Sequence, residues 1–270
     1  MVERIKKLIS SGKPVFFLKH VPSKGDSVVV YNGGKALKFS FLSRPVSCTK
    51  DSRIRMLEIV SSIRSIYSKK GFKVSDCGTW DEPLDYEIDK QLVLEQLRYC
   101  KQYEHLDINF SVTIDASYLL DGMFISEFLA SLTSKTIINI KGIRELSTNP
   151  SDSEVLKKKM FNIRKSGVSF CIEGFMLGNK IDLYTLNFFD WEFIKIPRSY
   201  FLKELNNRDL SELTKILSNE QCKVIIEGID KPMHYLAMQL RNSMLQGDFI
   251  GKPMKIKNSI YYFNKPFSLI

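Results

Sequence analysis

The sequence predicts an α/β fold whose largely parallel sheet closes into a (β/α)8-type barrel. Three observations carry this expectation. Short runs rich in β-branched and aromatic residues alternate with helical patterns, the order that builds βαβ units. Several of these runs are apolar on both faces, as strands are when helices cover a parallel sheet on either side. About eight such units fit into 270 residues, the size of a barrel domain. On pattern alone a doubly wound open sheet remains the alternative.

The elements follow in chain order. Met1 to Ser11 is expected as a small helix, so that residues 1–13 form an extension before a domain spanning 14–270. Val15–Val21 and Ser27–Tyr31 read as strands. Arg53 to Ser68 passes the test for an amphipathic helix, and Gly71 to Asp85 reads as a loop broken by Gly71, Gly78 and Pro83. Ile88, Leu92, Val93, Leu97 and Cys100 share one helical face. Strands are expected at Leu106–Val112 and Thr136–Lys141. Ser151 and Glu154 form a capping box ahead of Leu156, Met160 and Ile163, and Gly167 stops that helix. Val168–Phe175, Phe193–Ile196 and Lys223–Ile229 read as further strands, Asp209–Leu217 and Pro232–Met244 as helices, and Ser259–Phe263 as a last strand.

Composition bounds the class. Hydrophobic residues make up 44% and charged residues 26%, an ordinary globular balance. A chain of this length buries roughly three quarters of its unfolded surface, so it needs no disulfide or structural metal. Cys48, Cys77, Cys100, Cys171 and Cys222 include no CxxC pair, which argues against a zinc or redox motif and suits a reducing compartment. The start carries charge and no signal-like apolar region, and runs such as Val15-Phe16-Phe17-Leu18 are too short to span a bilayer. The expectation is therefore a cytoplasmic protein without membrane contact. The 40 Lys and Arg outnumber 30 Asp and Glu, giving +10, a balance that permits an acidic partner without choosing one. The densest basic run, Lys157-Lys158-Lys159, reads as a solvated helix face, so nucleic acid is disfavoured. His20, His105 and His234 lack metal or triad spacing, and Trp80, Trp191, Phe188-Phe189 and Tyr261-Tyr262-Phe263 read as packing residues.

Two C-terminal blocks are more specific. Val224-Ile225-Ile226-Glu227-Gly228-Ile229-Asp230 is followed, after a helix, by Leu245-Gln246-Gly247-Asp248-Phe249-Ile250-Gly251-Lys252-Pro253. The pair resembles the closing signature of EAL domains, the cyclic-di-GMP phosphodiesterase family: Glu-Gly-Val-Glu, a helix, then Gln-Gly-Tyr-x-x-Gly-(Lys/Arg)-Pro. Upstream, Phe193 to Pro197 resembles the Lys-Ile-Asp strand, and Gly167 to Phe175 the strand ending Asp-Asp-Phe-Gly. Ile137 to Lys141 takes the place of Glu-Leu-Thr-Glu, Asp107 to Ser111 that of Val-Asn-Leu-Ser, and Lys35-Ala36-Leu37 that of the eponymous Glu-Ala-Leu. The resemblance covers about residues 14–256; it is weakest before about 105, and the segment 41–86 matches little. It implies an EAL barrel of the TIM type.

The resemblance also implies two magnesium or manganese ions at the strand ends, which clamp the phosphodiester and activate a water. Asn109, Lys195, Glu227 and Gln246 match the family's site, Glu173 is one methylene longer than its Asp, and Asp230 one shorter than its Glu. Lys35, Asn139, Gly174 and Pro197 stand where the family has carboxylates. The expectation is a vestigial site with no metal and no cofactor, in a domain without hydrolase activity. Lys35 is expected either to pair with Glu227 or Glu173 in place of a metal or to point to solvent. Lys38 and Phe249 are the candidates for residual ligand contact. By family analogy such a stand-alone degenerate domain regulates motility, fimbriae or biofilm through a protein partner, and many members dimerise. A cyclic-di-GMP receptor and a weak phosphodiesterase are the alternatives.

Overall fold

The computed structural model describes residues 17–20, 26–32, 35–65, 86–147, 149–176, 180–206, 222–238 and 243–263. The extension at 1–13, the loop at 71–85 and the helix at 209–217 lie outside these.

Ten strands form one sheet. β1 (Phe17–His20), β2 (Ser27–Asn32), β3 (Lys35–Cys48) and β4 (Ile54–Ser65) are consecutive antiparallel neighbours. From β4 the pairing turns parallel, through β5 (Asn109–Asp115), β6 (Thr136–Lys141), β7 (Ser169–Ile172), β8 (Phe193–Ile196), β9 (Lys223–Glu227) and β10 (Met244–Gln246). β10 then pairs antiparallel with β3, Met244 opposite Cys48 and Leu245 opposite Ser47. Strands β3 to β10 thus close an eight-stranded barrel in which β3 alone runs against its neighbours, and β1, β2 and the far halves of β3 and β4 project from it as a ribbon.

Around the barrel lie α1 (Tyr86–Lys101), a 3₁₀ turn (Ala116–Leu120), α2 (Gly122–Ser131), α3 (Ile143–Ser147), α4 (Pro150–Arg164), α5 (Lys180–Phe188), α6 (Arg198–Asn206), α7 (Pro232–Met238) and α8 (Ile256–Phe263). Their inner faces meet the outward strand residues in the main core, which includes Leu57, Phe110, Phe170, Ile194 and Ile226. A second, smaller core fills the barrel itself: Val46, Met56, Ile137, Cys171, Phe193, Ile225 and Met244. This two-core arrangement follows from strands whose side chains alternate between a helix-facing and a barrel-facing side.

Several expectations are corrected. Arg53–Ser68 is no helix: β4 occupies Ile54–Ser65, because β3 supplies a long antiparallel partner and the period-2 alternation of Met56 and Glu58 with Leu57 and Ile59 wins over a weak helical pattern. Ser259–Phe263 belongs to helix α8, whose Ser259 hydroxyl meets that of Ser43 at 2.6 Å. The helix begun at Pro232 is described to Met238, and Met244 already belongs to β10. The cap of α4 is Asn149, whose side chain accepts from the Ser151 amide, with Pro150 just inside the helix, rather than Ser151 with Glu154. Gly167, at φ 83°, does end that helix in the left-handed conformation that glycine favours.

Candidate functional site

The barrel interior is layered, and the layers place the site. On strand after strand a small-core residue is followed two positions later by a polar one on the same face: Met56 by Glu58, Ile137 by Asn139, Cys171 by Glu173, Phe193 by Lys195, Ile225 by Glu227 and Met244 by Gln246. On antiparallel β3 the order reverses, with Arg44 two residues before Val46. The strands therefore deliver one apolar layer and, above it, one polar layer at the C-terminal end of the parallel strands.

Lys195 is the centre of that polar layer. It is 3% exposed, and its Nζ lies 2.5 Å from Glu58 Oε1, 2.9 Å from Glu227 Oε1 and 3.8 Å from Glu173 Oε1. Glu58, 4% exposed, also accepts from Gln246 Nε2 at 2.8 Å and Asn139 Nδ2 at 3.3 Å, and Arg44 stands 4.0 Å from its Oε2. Asn139 reaches Thr113 Oγ1 at 3.4 Å as well. The carbonyl oxygens of Asn139 and Gln246 are buried and meet no hydrogen-bond donor among the described residues.

Burial opposes charge on Lys195, but the three surrounding carboxylates outweigh it and hold the ammonium above its ordinary pKa. Burial likewise pushes the Glu58 carboxyl up, and Lys195 with its other donors overcomes this, so Glu58 is held below its ordinary range. Glu173 goes the other way: burial, aided by repulsion from Glu58 and Glu227, raises it despite Lys195. Burial also pushes the Cys171 thiol well up, which leaves it an inert packing group beneath the layer.

The polar layer floors a cavity of about 320 Å³. Its walls come from Phe39, Ile59 and Ile63 of the ribbon and from Leu92 and Val93 of α1, with Arg44 and Lys141 as further cations. Among the described residues no three His, Cys, Asp or Glu converge as metal ligands.

Of the residues read from the sequence, Asn139, Glu173, Lys195, Glu227 and Gln246 come together here, and Gly174 follows Glu173 at φ 75°. Four others do not. Asn109 is exposed at the start of β5, and Thr113, four residues on, occupies the polar layer instead. Lys35 opens β3 at the far end of the ribbon, paired with Asn32. Nine residues separate it from Arg44, which faces Glu58, a span of roughly 30 Å at the usual rise. Lys38 pairs with Arg64 on the same ribbon, roughly 20 Å from that level. Phe249 packs on Tyr235 with ring centroids 5.8 Å apart. Asp230 is held by Arg198 Nε at 2.8 Å and the Asp248 amide at 3.2 Å, and that pairing outweighs its burial and keeps its carboxyl low.

The residue missed is Glu58. It sits where a strand opens the barrel's parallel run, in Glu58-Ile59-Val60, and it supplies to the polar layer a carboxylate of the kind that was sought at Lys35. The residues after it, Ser61 and Ser62, carry no cation. The signal that could have found it is a Glu flanked by β-branched residues in Met56-Leu57-Glu58-Ile59-Val60, which the helical reading of Arg53–Ser68 concealed.

A closed eight-stranded barrel with a polar layer at its parallel strand ends defines a TIM-type α/β protein. The sequence model of the EAL domain matches residues 79–253, and the chain belongs to that family, which is tied to cyclic-di-GMP signalling. Among solved structures it is similar to an EAL domain protein from Listeria monocytogenes EGD-e (15% identity, TM-score 0.63, covering 83% of this chain and 91% of that one). It is similar also to the EAL domain of DcpA from Mycobacterium smegmatis (14%, 0.58, 84% and 96%). The EAL domain of FimX from Xanthomonas citri, solved in complex with c-diGMP, aligns at 13% identity with a TM-score of 0.56, covering 80% of this chain and 88% of that one. At these identities the likeness is one of fold. No curated protein matches the sequence, and no helix among the described residues is long and apolar enough to cross a membrane.

Proposed function

We propose that this EAL domain does not hydrolyse cyclic-di-GMP and acts as a regulator through a protein partner. One observation carries the reading: the three carboxylates of the floor all lie within 3.8 Å of one buried ammonium. Asn139, Gly174 and Pro197, where the family supplies carboxylates, bring no charge. Two divalent cations would need several anionic oxygens free of competition. Here Lys195 and Arg44 already balance most of the negative charge, so the donor set does not fit a two-metal centre. Of the buried floor oxygens without a hydrogen-bond donor, those of Asn139 and Gln246 are neutral and suit ordered water, and Glu173 Oε2 belongs to the carboxyl that burial holds toward its neutral form.

The test is a hydrolysis assay of the purified chain on cyclic-di-GMP in magnesium or manganese, read as formation of the linear dinucleotide. Turnover at the no-protein background is expected. Metal-dependent turnover that disappears in Glu58→Gln would overturn the reading. Calorimetry with cyclic-di-GMP in magnesium and in EDTA separates the receptor alternative, which the Arg44 and Lys141 cations at the cavity favour. Heat in both buffers would make the chain a metal-independent receptor.

A further inference from the structure

On the outer flank of the barrel, a groove of about 390 Å³ runs between α4 and α5, away from the polar layer. Its base is aromatic: Phe188 and Phe189 are buried there, and Arg164 stacks on Phe189 at 4.2 Å. Its lip is Phe161, which is 56% exposed. With the Phe188–Phe189 base beneath it, Phe161 is part of a contiguous apolar patch with a polar rim, the kind of surface that marks an interaction site.

The charge around the lip is specific. Lys157, Lys158 and Lys165 lie four and three residues before Phe161 and four after it, so all three surround its ring on the helix surface. Lys165 Nζ is 5.1 Å from the Phe161 ring centroid and Lys157 Nζ is 6.0 Å from that of Phe188. None of the three has a carboxylate within ion-pair distance among the described residues. Lys159, by contrast, is used inside the fold, donating to the Leu120 carbonyl at 2.9 Å. Of the two acids at the groove, Asp190 is held by Arg164, its carboxylate 3.7 Å away, and Glu154, one helical turn before Lys157 and Lys158, leaves the lysines in excess at the lip.

We infer that the α4–α5 groove is a docking site for an acidic segment of a partner protein that inserts an aromatic or aliphatic anchor beside Phe161. An apolar slot ringed by unpaired lysines complements an amphipathic acidic segment: the anchor gains from desolvated aromatic contact, and the flanking carboxylates meet the lysines. The inference deepens the regulatory reading by naming the surface and the partner's chemistry. The barrel floor takes no part in it.

The test is a selection of a random library of short linear peptides on the immobilised full chain, followed by binding measurements on the enriched peptides. Enrichment of peptides combining Asp or Glu with Phe, Trp or Leu is expected. Their affinity should fall about tenfold or more in K157E/K158E and in Phe161→Ser. Both variants change exposed side chains, and unchanged thermal melts show that the fold is kept. Failure to enrich, enrichment without acidic residues, or affinities indifferent to both variants would overturn the inference. So would a shift from dimer to monomer in Phe161→Ser, which would make the face a self-interface, or binding of a labelled DNA duplex that K157E/K158E abolishes. The hydrolysis assay is independent of these variants: metal-dependent turnover with groove binding intact would defeat the proposed function and leave the groove standing.

Discussion

Replacing Lys195 by Met removes the only cation among the described residues that touches all three floor carboxylates. At an effective dielectric of about 20, attractions at 2.5, 2.9 and 3.8 Å are worth about 7 to 4 kcal/mol each before solvation is counted. Most of this offsets the cost of bringing the charges out of water, so the pairs add little net stability as a set. Removing one partner is different, because Glu58 would keep its burial and lose its ammonium. A loss of about 3–5 kcal/mol at neutral pH is the usual result for a broken buried pair. For a chain of this length that lowers Tm by roughly 6–15 °C.

The pH dependence has a definite sign. Glu58 is held low in the folded protein, so its contribution is present above its unfolded pKa of about 4.3 and is lost as pH falls through the lower folded value. Lys195 is held high, so its contribution is present below about 10.4 and lost only as pH rises through the folded value. Between about pH 5 and 10 the parent therefore keeps both. In Lys195→Met the carboxylates lose that support and take up protons at higher pH. The deficit should be largest near pH 8 and shrink toward pH 5. Urea unfolding of both proteins across that range measures it. A variant within about 0.5 kcal/mol of the parent at pH 7, or a deficit that ignores pH, would refute the role given to Lys195.

Two further outcomes are expected. Glu173 is held above its ordinary pKa, so its ionisation costs stability as pH rises, and none is lost below its unfolded pKa. Glu173→Gln should therefore gain about 1 kcal/mol at pH 8 relative to pH 4, and parallel stability curves would count against the burial argument. Gly247→Ala would place a Cβ 2.5 Å from the backbone of Ile229, which cannot yield as a side chain can. A loss of about 3 kcal/mol or more in urea unfolding is expected, and parent-like stability would show that the two loops separate freely.

The parallel half of the barrel was legible because its strands are short apolar runs between helices: Thr136–Lys141 and Phe193–Ile196 are read at their observed bounds. The site residues legible in the sequence are those that end such strands, Asn139, Glu173, Lys195 and Glu227, since a strand's end fixes both depth and face. The antiparallel part was not legible. β3 and β4 draw their stability from each other across Arg44 and Glu58, a pairing with no local signature, and Arg53–Ser68 satisfies a helical spacing just as well. That misreading moved the search for the first Glu to Lys35. Asn109 misled for a related reason: matching Asp107–Ser111 to Val-Asn-Leu-Ser set the site at the start of β5, four residues and two layers of the same face short of the polar layer.

The antiparallel seam has a consequence for how the chain folds. β3 is sealed by β10, and beside that pairing the Thr49 hydroxyl donates to the Ser243 carbonyl at 2.9 Å, 194 positions later in the chain. At ordinary synthesis rates the ribosome takes about 10–40 s to cover that distance. Until then the half of β3 beyond its β2 pairing has β4 on one side and an open edge on the other, and β9 waits equally exposed. The ring cannot close early from either direction, so the slowest contact to form is also the one that fixes Gln246 beneath Glu58. A nascent chain of this protein has its ribbon and most of its strands before it has a floor to its cavity.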